Sequence, residues 1–148
     1  MGVFDKVEEA SVSGGGIYPN PGDYVIIVKS CMLKKSRKGE QMTIVEYVVE
    51  DVIREFPGDD DFKASNSPGQ TVGWVNMQKY DTFLGNAKAF TAALLGKPAD
   101  DVTKGEVEGV FEGDPEAYKG TRLRLDVLNI YTKTNRPFCK PMFNTLAE

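Results

Sequence analysis

Apolar and polar residues alternate along most of this chain, and one long stretch breaks that period for a helical one. In residues 81 to 96, DTFLGNAKAFTAALLG, the apolar residues Phe83, Ala87, Phe90 and Leu94 step by four, three and four, with Leu84 and Leu95 widening the stripe. That spacing is the signature of one buried helical face. Asp81 stands where its carboxylate can cap the first turn, and Gly96 followed by Pro98 ends the helix.

Strand-like segments lie on both sides of it. In DYVIIVKSCMLKK, residues 23 to 35, Tyr24, Ile26, Val28, Ser30 and Met32 share one face and Val25, Ile27, Cys31 and Leu33 the other, so this strand is expected to be covered on both faces near its start. The turn SRKGE follows, with Gly39 where a positive φ is needed. QMTIVEYVVEDVI then alternates Thr43, Val45, Tyr47 and Val49 against Ile44, Glu46, Val48 and Glu50, completing a long hairpin. Residues 54 to 67 read as a loop around Pro57-Gly58. QTVGWVNMQ is a third strand, in which Gly73 suggests a bulge or sharp bend.

Beyond the helix, residues 97 to 118 are acidic and Gly-rich, with a short strand expected around 107 to 111 and a turn of helix at 115 to 118. TRLRLDVLNIYTK is a fourth strand and PFCKPMFNTL a fifth, which Pro137 and Pro141 confine to an edge or to irregular pairing. Residues 1 to 21, with their Gly, Ser and Pro cluster, read as an N-terminal arm holding Phe4, Val7, Ile17 and Tyr18. Residues 22 to 148 read as one domain.

The order strand, strand, strand, helix, strand, strand is that of the mostly β, five-stranded OB-fold Greek-key barrel, with its helix between strands 3 and 4. A lipocalin-like barrel needs eight strands, and an immunoglobulin sandwich about seven with no central helix.

Composition narrows the function. Apolar runs such as residues 25 to 28 are too short to cross a bilayer, and the start MGVFDKVEEA has no signal-peptide profile, so a cytoplasmic, non-membrane protein is expected. Lys6 stands where a myristoylation start needs Ser or Thr. Cys31 and Cys139 have no metal-type spacing and read as reduced thiols. The chain has no histidine, which removes His-based catalysis and most zinc sites. GKP at 96 to 98 and GGG at 14 to 16 lack the context of phosphate loops, and Asp59, Asp60 and Asp61 read as a solvated turn. No enzyme, cofactor or metal is expected.

The net charge of −4 argues against nucleic acid, but its distribution argues the other way. Residues 29 to 38 hold Lys29, Lys34, Lys35, Arg37 and Lys38 with no acid. Residues 119 to 140 hold Lys119, Arg122, Arg124, Lys133, Arg136 and Lys140 against Asp126 alone. The segments 46 to 61 and 100 to 116 each carry seven acids and one base. In the OB arrangement the two basic hairpins flank one groove, giving a cationic channel; taken separately, either cluster also fits a solvated tip that guards a strand edge. Bases also need flat faces to stack on, and Tyr47, Trp74, Tyr131 and Phe138 are the candidates. Trp74, between Val72 and Val75 and beside Gly73, fits the core as well as a platform. Tyr131 and Phe138 bracket the basic TKTNR turn.

The runs KKSRKGEQMTIVEYVVED, PGQTVGWV, FLGNAKAFTAALLG and YTKTNRPF together resemble the small bacteriophage OB-fold proteins that bind single-stranded DNA in phage replication and recombination. The resemblance implies a viral protein in the host cell cytoplasm, with replication or recombination proteins among its partners and room for a homo-oligomer. Such proteins often end in an acidic tail that recruits partners, whereas this chain ends FNTLAE. The expected function is sequence-tolerant binding of single-stranded DNA by a basic groove with aromatic stacking, and nothing in the residues separates DNA from RNA. The competing reading is an OB-like adaptor or structural subunit whose basic hairpins meet another protein.

Overall fold

The computed structural model describes residues 19–146, so the expected arm, including Phe4, Val7, Ile17 and Tyr18, lies outside the described residues except for its last three positions. The two long alternating segments become β1 (Gly22–Lys35) and β2 (Gln41–Glu55), antiparallel from Gly22↔Glu55 to Lys35↔Gln41. Their turn closes through Ser36 N–H to the Glu40 carbonyl at 2.8 Å, with Gly39 at φ 85° as its sequence predicts. β3 (Thr71–Met77), β4 (Arg122–Tyr131) and β5 (Pro137–Thr145) complete one antiparallel five-stranded sheet in the order β3-β2-β1-β4-β5. Pro137 and Pro141 therefore sit on an edge strand, where the missing amide N–H costs no inner ladder bond.

Between β3 and β4 lie two helices, α1 (Phe83–Leu95) and α2 (Lys104–Glu112), with a 3-10 turn at Ala99–Asp101. The single expected helix is thus corrected to two, and the strand expected at 107 to 111 is helical. Thr103 and Glu106 form a capping box: the Thr103 hydroxyl accepts from Glu106 N–H at 3.2 Å and the Glu106 carboxylate accepts from Thr103 N–H at 2.9 Å. With the start so fixed, Val107, Val110 and Phe111 fall on one helical face against the core. Residues 115 to 118 form successive turns, closed by Ala117 N–H to Asp114 and Lys119 N–H to Glu116, and not a helix.

Thr82, not Asp81, is the N-cap position of α1, and no side chain caps it; Gly96 ends the helix in the left-handed region at φ 68°. Its inner face is Ala87, Phe90, Thr91 and Ala93, whereas Leu84, expected on the stripe, is 75% exposed. Phe90 is wholly buried, with its ring centroid 5.0 Å from Phe143, 5.8 Å from Trp74 and 5.9 Å from Phe111. Lys97 joins the helices by a 2.9 Å ion pair to Glu106.

The core face of the sheet runs through Tyr24, Ile26 and Val28, then Val45, Tyr47 and Val49, Val72 and Trp74, and Leu123, Leu125 and Val127. In β1 the register with β2 shifts between Val28 and Ser30, so that Lys29 is the extra residue of a bulge and Cys31, not Ser30, takes the next core position. Gly73 makes no bulge: it pairs with Glu46 in an unbroken register, because Val72 and Trp74 on either side are both held in the core.

β3 and β5 are the two edges, and no backbone pairing joins them among the described residues. Side chains close part of the gap. Phe143 of β5 lies 4.9 Å from Trp74 and 6.2 Å, edge-on, from Tyr47, and the Thr145 hydroxyl donates to the Ala93 carbonyl of α1 at 2.8 Å. No helix among the described residues is long and apolar enough to cross a membrane.

Candidate nucleic-acid interface

Where the edges are not closed, a groove of about 1180 Å³ remains. Its lining comes from residues 74 to 77 of β3, 79 to 82 of the turn into α1, Asn86 of α1, 132 to 134 of the β4–β5 turn and 137 to 141 of β5. Residues 61 to 63 of the β2–β3 loop and Pro19 and Asn20 complete it.

Four lysines line it, Lys63, Lys79, Lys133 and Lys140, against two acids, Asp61 and Asp81. None of the four lysines is in an ion pair among the described residues. Asp61 accepts a 2.7 Å hydrogen bond from the Tyr131 hydroxyl, and that partner raises the Tyr131 pKa. The groove is therefore locally cationic, four charges against two, in a chain of net charge −4. A field of this sign draws phosphates, because each neutralised contact releases a condensed counterion.

Two aromatic faces stand open in the same groove: Tyr80, 57% exposed, and Phe138, 48% exposed. Lys79 Nζ lies 5.3 Å from the Tyr80 ring centroid, a cation–π geometry. Trp74 contributes from below; it is 7% exposed and belongs to the core cluster while lining the groove. Cys139, a half-buried free thiol whose pKa burial raises, also lines it.

The expected interface is only partly assembled here. Lys133, Phe138, Lys140 and Trp74 meet in the groove. Arg136 is exposed on the same β4–β5 turn but outside the lining. Tyr131 is exposed beside it, its ring centroid 5.5 Å from that of Phe62 in a T-shaped arrangement. Tyr47 is no platform: it is fully buried on the core face of a central strand, its hydroxyl has no hydrogen-bond partner among the described residues, and burial lifts its pKa well above the ordinary value. Arg122 and Arg124 are charge-paired away from the groove. Arg122 donates to Glu50 at 2.6 and 2.8 Å, and Arg124 donates to Asp126 at 2.9 Å with Asp23 at 3.8 Å. Lys34, Lys35, Arg37 and Lys38 sit at the β1–β2 tip, outside the lining. The tip reaches the groove only through its base, where Met42 pairs with Met77 and Gln78 N–H donates to the Gln41 carbonyl. Of the two basic tips expected to form one channel, only the β4–β5 turn lines this groove, together with the β2–β3 loop and the turn into α1.

Lys63, Lys79, Tyr80, Asn76 and Asn86 were not legible as site residues, although QKYD between the third strand and the helix does place a lysine beside an aromatic ring. Asp59 folds its own turn, its Oδ1 accepting from the N–H groups of Asp61 and Phe62 at 2.9 and 2.8 Å. Among the described residues no group of His, Cys, Asp or Glu is arranged to hold a metal ion. No protein-family model matches the chain, and no curated protein matches it either.

Proposed function

We propose that the protein binds single-stranded nucleic acid in the groove between β3 and β5. The observation that carries this reading is the convergence there of four lysines that form no ion pair among the described residues and two exposed aromatic faces, Tyr80 and Phe138. Lysines track phosphates and rings take bases, the two ingredients of sequence-tolerant single-strand binding. The sheet order supports reading the fold as an OB barrel open along one seam, an architecture whose sheet face and β1–β2 and β4–β5 loops commonly bind oligonucleotides; here the β4–β5 loop is the one that lines the groove. With the resemblance of the sequence to bacteriophage single-stranded DNA-binding proteins, the working role is protection of DNA during phage replication or recombination.

Trp74, the sole tryptophan, lines the groove and reports on it. Titration with oligo-dT at two salt concentrations should change its emission and give an affinity that falls as salt rises. Absence of any binding at low salt would overturn the reading. The adaptor reading would then gain weight from the outer edges of β3 and β5, which pair with no strand among the described residues and can accept an extended peptide as an added strand.

A further inference from the structure

The β4–β5 hairpin runs on past the strand that supports it. β4 pairs with β1 only as far as Val127, opposite Gly22, whereas its ladder with β5 continues to Tyr131↔Pro137. Residues 128 to 140, which bring Lys133, Phe138 and Lys140 to the groove, therefore have no strand partner but each other among the described residues. What meets them instead is the β2–β3 loop. Phe62 of that loop is 4% exposed, its ring centroid 5.5 Å from that of Tyr131 and 6.4 Å from that of Phe56, both T-shaped. Beside it the Tyr131 hydroxyl donates to Asp61 Oδ2 at 2.7 Å. The loop is itself a closed block. Asp59 Oδ1 accepts from the N–H groups of Asp61 and Phe62, and Asp59 N–H donates to the Phe62 carbonyl at 2.9 Å. Ser65 Oγ accepts from Phe56 N–H at 2.7 Å and donates to the Pro21 carbonyl at 2.6 Å. Tyr131 thus fastens the projecting hairpin to a fixed point, and Asp61 and Lys63, on either side of buried Phe62, both line the groove.

We infer that Tyr131 is a positioning residue for strand binding: through Phe62 and Asp61 it holds the β2–β3 loop and the β4–β5 hairpin together, so that Lys63 on one and Lys133 and Lys140 on the other engage the same strand. This role rests on the single-strand-binding reading and deepens it. Lys63 follows Phe62 in the chain, so whatever anchors that ring anchors the backbone from which the lysine reaches. Lysine is a point charge on a flexible stem, and its contact with a phosphate depends on where its backbone is held. A base platform asks something else of Tyr131, a ring face and nothing of its hydroxyl. Removing the hydroxyl alone separates the two roles, because phenylalanine keeps the ring. The expected loss is roughly 3- to 10-fold in affinity, the range of one net hydrogen bond.

The test is a double-mutant cycle read by oligo-dT affinity over a series of salt concentrations. Tyr131→Phe should weaken binding by that factor and, although neither ring carries charge, should flatten the slope of log affinity against log salt in the direction of Lys63→Ala, by up to about 0.7. In the Lys63→Ala background the same Tyr131→Phe change should cost much less than it does in wild type. If Tyr131→Phe binds as wild type while Tyr131→Ala is weaker with its slope intact, the ring is a stacking face and the positioning role is overturned. Equal losses from Tyr131→Phe with and without Lys63 overturn it as well. Both outcomes leave single-strand binding standing, whereas failure of wild type to bind oligo-dT at low salt overturns both.

Discussion

The rings of Trp74 and Phe143 lie 4.9 Å apart, centroid to centroid, joining two edge strands that share no backbone hydrogen bond among the described residues. Removing one ring should therefore open the seam without dissolving the sheet. Phe143→Ala is expected to shift Trp74 emission to longer wavelength as water reaches the indole. An unchanged emission spectrum would mean that Phe143 does not cover it.

Phe90 is the wholly buried ring beneath that seam, in contact with Trp74, Phe111 and Phe143. Phe90→Ala should cost about 3–5 kcal/mol by leaving a cavity among them. Denaturant unfolding measures this directly, and the loss should exceed that of Phe143→Ala, since Phe143 is only half-buried.

Charge and stacking should separate in binding. Lys133→Ala and Lys140→Ala are each expected to flatten the slope of log affinity against log salt by up to about 0.7, the single-strand value per phosphate contact. Tyr80→Ala and Phe138→Ala should weaken binding by about 1–3 kcal/mol and leave the slope nearly intact, because stacking displaces no ions. Arg122→Ala and Arg124→Ala, whose guanidinium groups already face Glu50 and Asp126, should leave the slope as it is.

Glu106 gives the helical segment an acid-side sensitivity. Its carboxyl is held below the ordinary value first by the Thr103 backbone N–H and then by Lys97. A carboxylate with a depressed folded pKa adds stability above its unfolded pKa, and that stability is lost as pH falls through the folded value. Glu106→Gln should therefore be less stable than wild type at neutral pH, with the gap closing below about pH 4. Parallel melting curves across that range test it; a gap independent of pH would mean that charge plays no part.

The thiols should differ in reach. Burial pushes Cys31 up to about 12, so it should resist iodoacetamide in the native protein, whereas half-buried Cys139 should label first. Saturating oligonucleotide should then slow labelling at Cys139, which lines the groove, as peptide mass analysis can follow.

All five strands were legible because alternation fixes a strand without knowledge of its neighbours, and Gly39 and the prolines marked the turns and an edge. The second helix was missed because KGEVEGVFE carries two glycines and two valines, all weak helix formers, and its start is written in the Thr103–Glu106 box more than in its composition. Alternation also fails to say which face of a strand is covered. Tyr47 reads as a platform candidate on that ambiguity, and Arg122 and Arg124 read as free charge because the sequence does not show that Glu50 of β2 and Asp126, two residues along β4, face their guanidinium groups. Lys63, Lys79 and Asn86 come from a loop, a turn and a helix that meet only through the tertiary fold.

The open seam has a consequence for how such a protein can change over generations. Part of the groove is bounded by the outer backbone edges of β3 and β5, whose carbonyls and amides belong to the main chain and stay in place under most substitutions. Pro137 and Pro141 are exceptions, each deleting a donor. Contacts to those edges would be inherited with the fold itself, while contacts from the side chains of Lys63, Lys79, Tyr80 and Phe138 could be gained or lost one substitution at a time. In a lineage of such proteins, what the main chain touches would be the conservative trait and what the side chains touch the variable one.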